Sequence, residues 1–219
     1  MKGIWQIISL LLAVTLVILL IKISLIKSES TCQQVPQTGE QSVSTEGEQA
    51  VIDAIMTRSS IRKYTEQKVE KEKIETLLKA GMAAPTAGNC QPWDLIVIDQ
   101  REVLDAIPPI VKGAYMATGA QLAIAVCGTP TQSFLPECWV QDCSAVTENI
   151  LLAAHAMGLG AVWCGAYSNN AEDMVGALQK LLSLPEETMA LSIIVIGYPE
   201  GDIHVKDKWK PEKVHYNKF

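Results

Sequence analysis

The sequence predicts an α+β domain, a layered sheet with flanking helices, carried behind an N-terminal transmembrane helix. Three observations lead there. Helical and strand periodicities are interspersed without a regular βαβ beat, which favours layering over a doubly wound sheet. The stretch "IWQIISLLLAVTLVILLI", residues 4–21, carries no charge, and "KISLI" extends its apolar character to Ile26. Between that run and the first amphipathic pattern lies "SESTCQQVPQTGEQSVSTE", rich in Ser, Thr, Gln and Glu and without an apolar period.

About 20 apolar residues at 1.5 Å rise cross the ~30 Å core of a bilayer. Residues 4–26 therefore read as a membrane span, within an anchor at residues 1–27. A cleaved signal peptide has a shorter apolar region and a small-x-small site after it. The exit "KISLIKSESTC" offers no good site, so an uncleaved anchor is favoured over a signal. Lys2 stands on one side of the run and Lys22 and Lys27 on the other, which leaves the positive-inside comparison nearly balanced. Residues 28–46 read as a polar tether, and the folded domain as residues 47–219. Six cysteines, at 32, 90, 127, 138, 143 and 164, form no CxxC pair. They read as reduced, packed thiols, which leans towards a reducing compartment and so favours the cytoplasmic face for a membrane-anchored domain while leaving the side open. No His or second pair stands at a spacing that would make Cys138 and Cys143 a metal half-site. A net charge of −6 with no basic stripe argues against nucleic acid as a partner.

Within the domain, "EQAVIDAIMTR" puts Val51, Ile52, Ile55 and Met56 on one helical face, and "VEKEKIETLLKAGMAA" does the same with Val69, Ile74, Leu77 and Leu78 before Pro85. "DLIVID" at 94–99 and "QLAIAVCG" at 121–128 read as short buried strands. The helix expected at 141–160, stopped by Gly158 and Gly160, is apolar on several sides and so must be covered. "AEDMVGALQKLLSL" at 171–184 is a further helix, and "ALSIIVIG" at 190–197 reads as the central strand. Stretches 108–120 and 129–140 read as variable loops.

Three segments between these elements carry polar chemistry. "TRSSIRKY", residues 57–64, sets Arg58 and Arg62 four apart with two hydroxyls between them. By itself it fits a charged helix end as well as an anion cradle. "APTAGNCQPW", residues 84–93, is a helix stop and a turn. That reading explains Pro85 and Gly88 but not the two amides beside Trp93, which suit a flat heterocycle with donors and acceptors. "GLGAVWCGAY", residues 158–167, is a helix-to-strand turn whose small residues also let backbone amides approach a ligand.

In this order, and followed by "IIVIGYPEG" and "KVHYNKF", these segments resemble the FMN-dependent nitroreductase family over residues 48–219. The resemblance implies a nitroreductase-like layered fold and a bound FMN. It gives Arg58 and Ser60, with Ser59 beside them, to the FMN phosphate and ribityl end, where a guanidinium makes charge-assisted bonds to a dianion. Arg62 falls at the pyrimidine edge, where a fixed cation stabilises the reduced flavin. Thr86, which stands where the family has Ser, belongs with Ala87, Asn89 and Gln91 to the second flavin motif. Asn89 contacts the ribityl chain and the ring. Trp163, Cys164 and Gly165 correspond to the strip along the dimethylbenzene and N5 side. The family usually closes on the phosphate with a late Arg; here Lys206 and Lys208 stand instead, keeping the charge but losing the fork.

The implied activity is hydride transfer from NADH or NADPH to an electron-poor small-molecule acceptor (a nitroaromatic, quinone or enone) in ping-pong order, with no catalytic side chain because the cofactor carries the chemistry. His155, His204 and His215 read as structural or surface residues. The implied assembly is a homodimer with the flavin at the interface. The apolar helix at 141–158 and the coreless tail "KWKPEKVHYNKF" suit such a dimer. Two readings from other classes stay open: a non-redox flavin-binding or flavin-consuming protein on the same fold, and a membrane-tethered interaction module without catalysis.

Overall fold

A computed structural model describes residues 45–168 and 172–219. In chain order the elements are helix α1 (Thr45–Thr57), α2 (Lys71–Met82), strand β1 (Trp93–Ile98), α3 (Arg101–Ile110), β2 (Leu122–Gly128), α4 (Trp139–Ala156), β3 (Gly160–Gly165), α5 (Glu172–Leu182) and β4 (Met189–Gly197). The four strands form one sheet in the order β1-β2-β4-β3, every neighbouring pair antiparallel.

Both faces of this sheet are covered. On β2, Leu122, Ile124 and Val126 pack with α2 and α4, while Ala123, Ala125 and Cys127 pack with α3 and α5. The same division holds on β4, with Ile194 and Ile196 on one side and Ile193 and Val195 on the other. A strand buried on both faces gains nothing from a polar alternate residue, so "LAIAVCG" is continuously apolar and "ALSIIVIG" is apolar apart from Ser192, whose buried hydroxyl pairs with that of Thr147. This is the layered α+β arrangement expected of the domain, with 190–197 as an inner strand.

The expectation of an N-terminal transmembrane helix is corrected. Among the described residues no helix is long and apolar enough to cross a membrane. Residues 4–26, on which the expectation rested, lie outside the described residues, as does most of the tether. The fold class that the described residues support is the α+β domain, and membrane-anchored localisation loses its support.

Two further differences have local causes. Residues 101–110 form a helix although they include Pro108 and Pro109, which fall in its last turn. The stretch expected as a loop at 108–120 is instead a 3-10 turn at Lys112–Gly119 that buries Ala114, Met116 and Ala117 in the core. Arg101 fastens it by donating to the carbonyls of Ala117, Thr118 and Ala120.

Helix α4 leaves less apolar surface than expected of it, with Leu152, Ala153 and Ala156 bordering an open groove beside α1. Trp139, Cys143, Val146, Ile150, Leu151 and Ala154 are all buried within the chain. Unpartnered apolar surface also lies on α1, where Val51, Ile52, Ile55 and Met56 are 47–63% exposed.

Candidate active site

The segment after α1 is laced to the far edge of the sheet. Ser60 forms a parallel bridge with Ala161 of β3, and the Ile61 amide donates to the Ala161 carbonyl at 3.0 Å. The Thr65 amide donates to the Tyr198 carbonyl and the Glu200 amide to the Lys63 carbonyl. Residues 60–65 are thus gripped between the start of β3 and the chain leaving β4. Gly160 makes the close approach possible: a Cβ there would stand 2.6 Å from Ile61 Cγ2 and 2.8 Å from Ile61 Cβ. The Tyr64 hydroxyl bonds back to the Val195 carbonyl at 3.0 Å, and burial pushes its pKa well above the ordinary tyrosine value.

This lacing opens a cavity of about 480 Å³, within the range of small-molecule sites. Arg58, Ser59, Ser60 and Arg62 line one wall, and Lys206 and Lys208 come from the C-terminal tail. The sequence reasoning missed Lys63, Glu200, Asp202 and His204, which also line it. Lys63 adjoins "RSSIR" and Glu200 lies within "IIVIGYPEG", so both could have been found there; Asp202 and His204 follow with no local pattern to mark them. Five cationic side chains thus stand against two carboxylates.

The tail is tied to the arginine segment at two points. Ser59 Oγ donates to the His204 carbonyl at 3.1 Å, and Lys208 Nζ donates to the Arg58 carbonyl at 2.9 Å. Lys208 therefore spends one of its three donors on backbone rather than on a ligand. Arg58 Nε lies 3.5 Å from Glu148 Oε1 of α4.

His155 stands behind the cradle. The Thr57 hydroxyl donates its one proton to the Asp53 carbonyl, so its 2.7 Å contact with His155 Nε2 has the imidazole donating. Burial, then the charges of Arg58 and Lys208, holds the His155 pKa below the ordinary 6.5. A depressed folded value means the unfolded chain takes up the proton first. The stability from neutral His155 is thus complete above 6.5 and lost as pH falls through the lowered value. Denaturant unfolding of wild type and His155→Gln across this window will show a shallower loss in the variant; parallel curves would contradict the assignment.

The other expected residues are placed apart. Trp163, Cys164 and Gly165 continue β3 from the Ser60 bridge, with Trp163 37% exposed and Cys164 buried. Burial pushes the Cys164 thiol up to about 11, so it stays protonated at neutral pH and is no nucleophile. Thr86, Ala87, Asn89 and Gln91 do not line the cavity. They form a turn with Gly88, Asn89 and Gln91 in the left-handed region (φ 60°, 55° and 51°), anchored by the Ala87 amide donating to buried Asp142. That turn leads into the beginning of β1, whereas Ser60 docks at the beginning of β3. The two strands are at opposite edges of the sheet and antiparallel to each other. The two groups therefore sit at diagonal corners, separated by three strand spacings, or ~14 Å of sheet width.

A family model described as the nitroreductase family matches residues 55–141 and 136–198. The chain belongs to the nitroreductase family. It is 42% identical over 169 residues to a Methanothermobacter thermautotrophicus protein provisionally named NADH dehydrogenase/NAD(P)H nitroreductase, a match covering 77% of this chain and 87% of that one. A crystal structure from Bacteroides thetaiotaomicron with the same provisional name is 41% identical, with a TM-score of 0.73, and the match covers 83% of this chain and all 100% of that one. An FMN-dependent nitroreductase from Clostridium difficile is 30% identical, with a TM-score of 0.72, over 77% of this chain and 99% of that one.

The donors present in this member of the family suit a flavin phosphate. Guanidinium and ammonium groups beside serine hydroxyls are the groups that hold a phosphate dianion in charge-assisted bonds. Among the described residues, nothing else hydrogen-bonds or pairs with the two terminal nitrogens of Arg58.

Proposed function

We infer that the chain is an FMN-dependent oxidoreductase that takes hydride from NADH or NADPH and delivers it to an electron-poor acceptor such as a nitroaromatic, a quinone or an enone, in ping-pong order. The family membership supports the enzyme class and both cofactors: the relatives' names carry FMN and NAD(P)H. The observation that carries the site is the cavity that gathers Arg58, Ser59, Ser60, Arg62, Lys206 and Lys208.

FMN, when bound, supplies the two-electron chemistry that joins the nicotinamide to the acceptor. The chain's own part is to hold and tune. Arg58, Ser59 and Ser60 bind the phosphate and ribityl end, and Lys206 and Lys208 add point charge from the tail. Lys208 also fixes the Arg58 carbonyl. Arg62 sets a cation at the pyrimidine edge, where negative charge accumulates on reduction. Trp163, Cys164 and Gly165 lie along the ring. The protonated Cys164 keeps its own charge out of the site.

The 86–91 turn serves the flavin of a second copy. A site divided between diagonal corners of one sheet is completed when two chains bring unlike corners together. The exposed α1 face and the tail, with Trp209 67% and Tyr216 85% exposed, supply apolar surface for such a homodimer. Thr86, Ala87, Asn89 and Gln91 then act across the interface.

Arg62→Ala tests the reading of the site. The variant will keep much of its FMN but show a lower flavin midpoint potential, because the reduced form loses its neighbouring cation. Equal potentials in variant and wild type would remove Arg62 from the flavin edge.

A further inference from the structure

Arg58 is held at three points before any ligand reaches it. Its amide donates to the Ala54 carbonyl at the end of α1, its carbonyl accepts from Lys208, and its Nε pairs with Glu148. The first two fix the backbone. The third acts on the guanidinium from outside the cavity: it comes from α4, which contributes no residue to the cavity lining.

We propose that Glu148 is a positioning residue of the anion cradle, holding the Arg58 guanidinium by its Nε edge so that the two terminal nitrogens face the flavin phosphate. The inference rests on the cradle reading given above. Guanidinium has five donors in one rigid plane, so a carboxylate at Nε leaves the terminal pair unoccupied and sets the direction in which the plane points. The Glu148 contact is an ion pair at 3.5 Å rather than a short hydrogen bond, so it orients the plane without consuming the cation. Exposure decides the sign of the effect. The Arg58 side chain is 22% exposed and the Glu148 side chain 48%. The carboxylate's repulsion of a phosphate farther away is therefore screened by solvent more than its attraction to the adjoining guanidinium. A flexible arginine that is already immobilised loses less entropy when the anion binds.

The test compares FMN with riboflavin, which lacks the phosphate. Dissociation constants are measured with the purified full chain for wild type, Glu148→Ala, Glu148→Gln, Arg58→Ala and the Glu148→Ala/Arg58→Ala double variant. Glu148→Ala should weaken FMN about two- to tenfold, the equivalent of one side chain no longer held. It should leave riboflavin unchanged and add nothing in the Arg58→Ala background. Glu148→Gln should recover no more than part of the loss, since the amide keeps the side chain's size but not the charge that makes the 3.5 Å pair. Unchanged or tighter FMN binding, an equal loss for riboflavin, or full additivity with Arg58→Ala would overturn the inference. A loss in Arg58→Ala without one in Glu148→Ala would overturn it while leaving the cradle standing. An Arg58→Ala variant with normal FMN affinity would remove both.

Discussion

Arg58→Ala will strip the protein of its flavin. The residue loses a charge-assisted contact to phosphate, a class of bond worth about 1.5–3 kcal/mol, so affinity falls at least tenfold. The fold should tolerate the change. The side chain faces a cavity rather than the core, and its ion-pair partner, Glu148, is half in solvent and can rehydrate. Dialysis followed by absorbance measurement reads the outcome. A variant that stays as yellow as wild type would mean that the phosphate is held elsewhere.

Ile55→Asp will convert the proposed dimer to a monomer and release flavin with it. Ile55 is 47% exposed and lines both apolar grooves beside α1, one shared with Met56, Val205 and Trp209 of helix and tail, the other with Leu152 and Ala153 of α4. Covering such a side chain contributes about 1.5–3 kcal/mol, and an unpaired carboxylate in the same place costs more. Dimerisation should weaken by more than ~3 kcal/mol, over a hundredfold. Within one chain the position is half in water, so monomer unfolding should move by no more than about 0.5 kcal/mol. Sedimentation velocity at micromolar protein separates the cases; an unchanged dimer would mean that another face is the interface.

What was legible in the sequence follows from what each feature depends on. Strand 190–197 was readable because burial on both faces leaves an apolar run interrupted by Ser192 alone, and Gly158, at φ 75°, marked the end of α4 correctly. Helix 101–110 was not, because it is short and carries two prolines, residues that ordinarily interrupt a helix and here fall in its last turn. The polar segments announced themselves by composition, yet their arrangement did not. Nothing in "APTAGNCQPW" says that it enters an edge strand at the corner opposite Arg58. Glu148 carried no signal at all: it lies in an apolar helix and meets Arg58 only through the tertiary fold. Lys208 was read as a phosphate cation, and the structure adds a carbonyl partner that no local pattern could indicate. The apolar run at 4–26 gave a strong local pattern, but no described helix bears a membrane span out.

An anaerobic titration of the purified protein with NADH and with NADPH tests the central claim most directly. The account predicts a yellow protein whose flavin absorbance bleaches with about one equivalent of reduced nicotinamide per flavin and returns when a nitroaromatic, a quinone or an enone is added. A protein purified without flavin that takes up none from added FMN, or a yellow protein that neither nicotinamide bleaches, would contradict it.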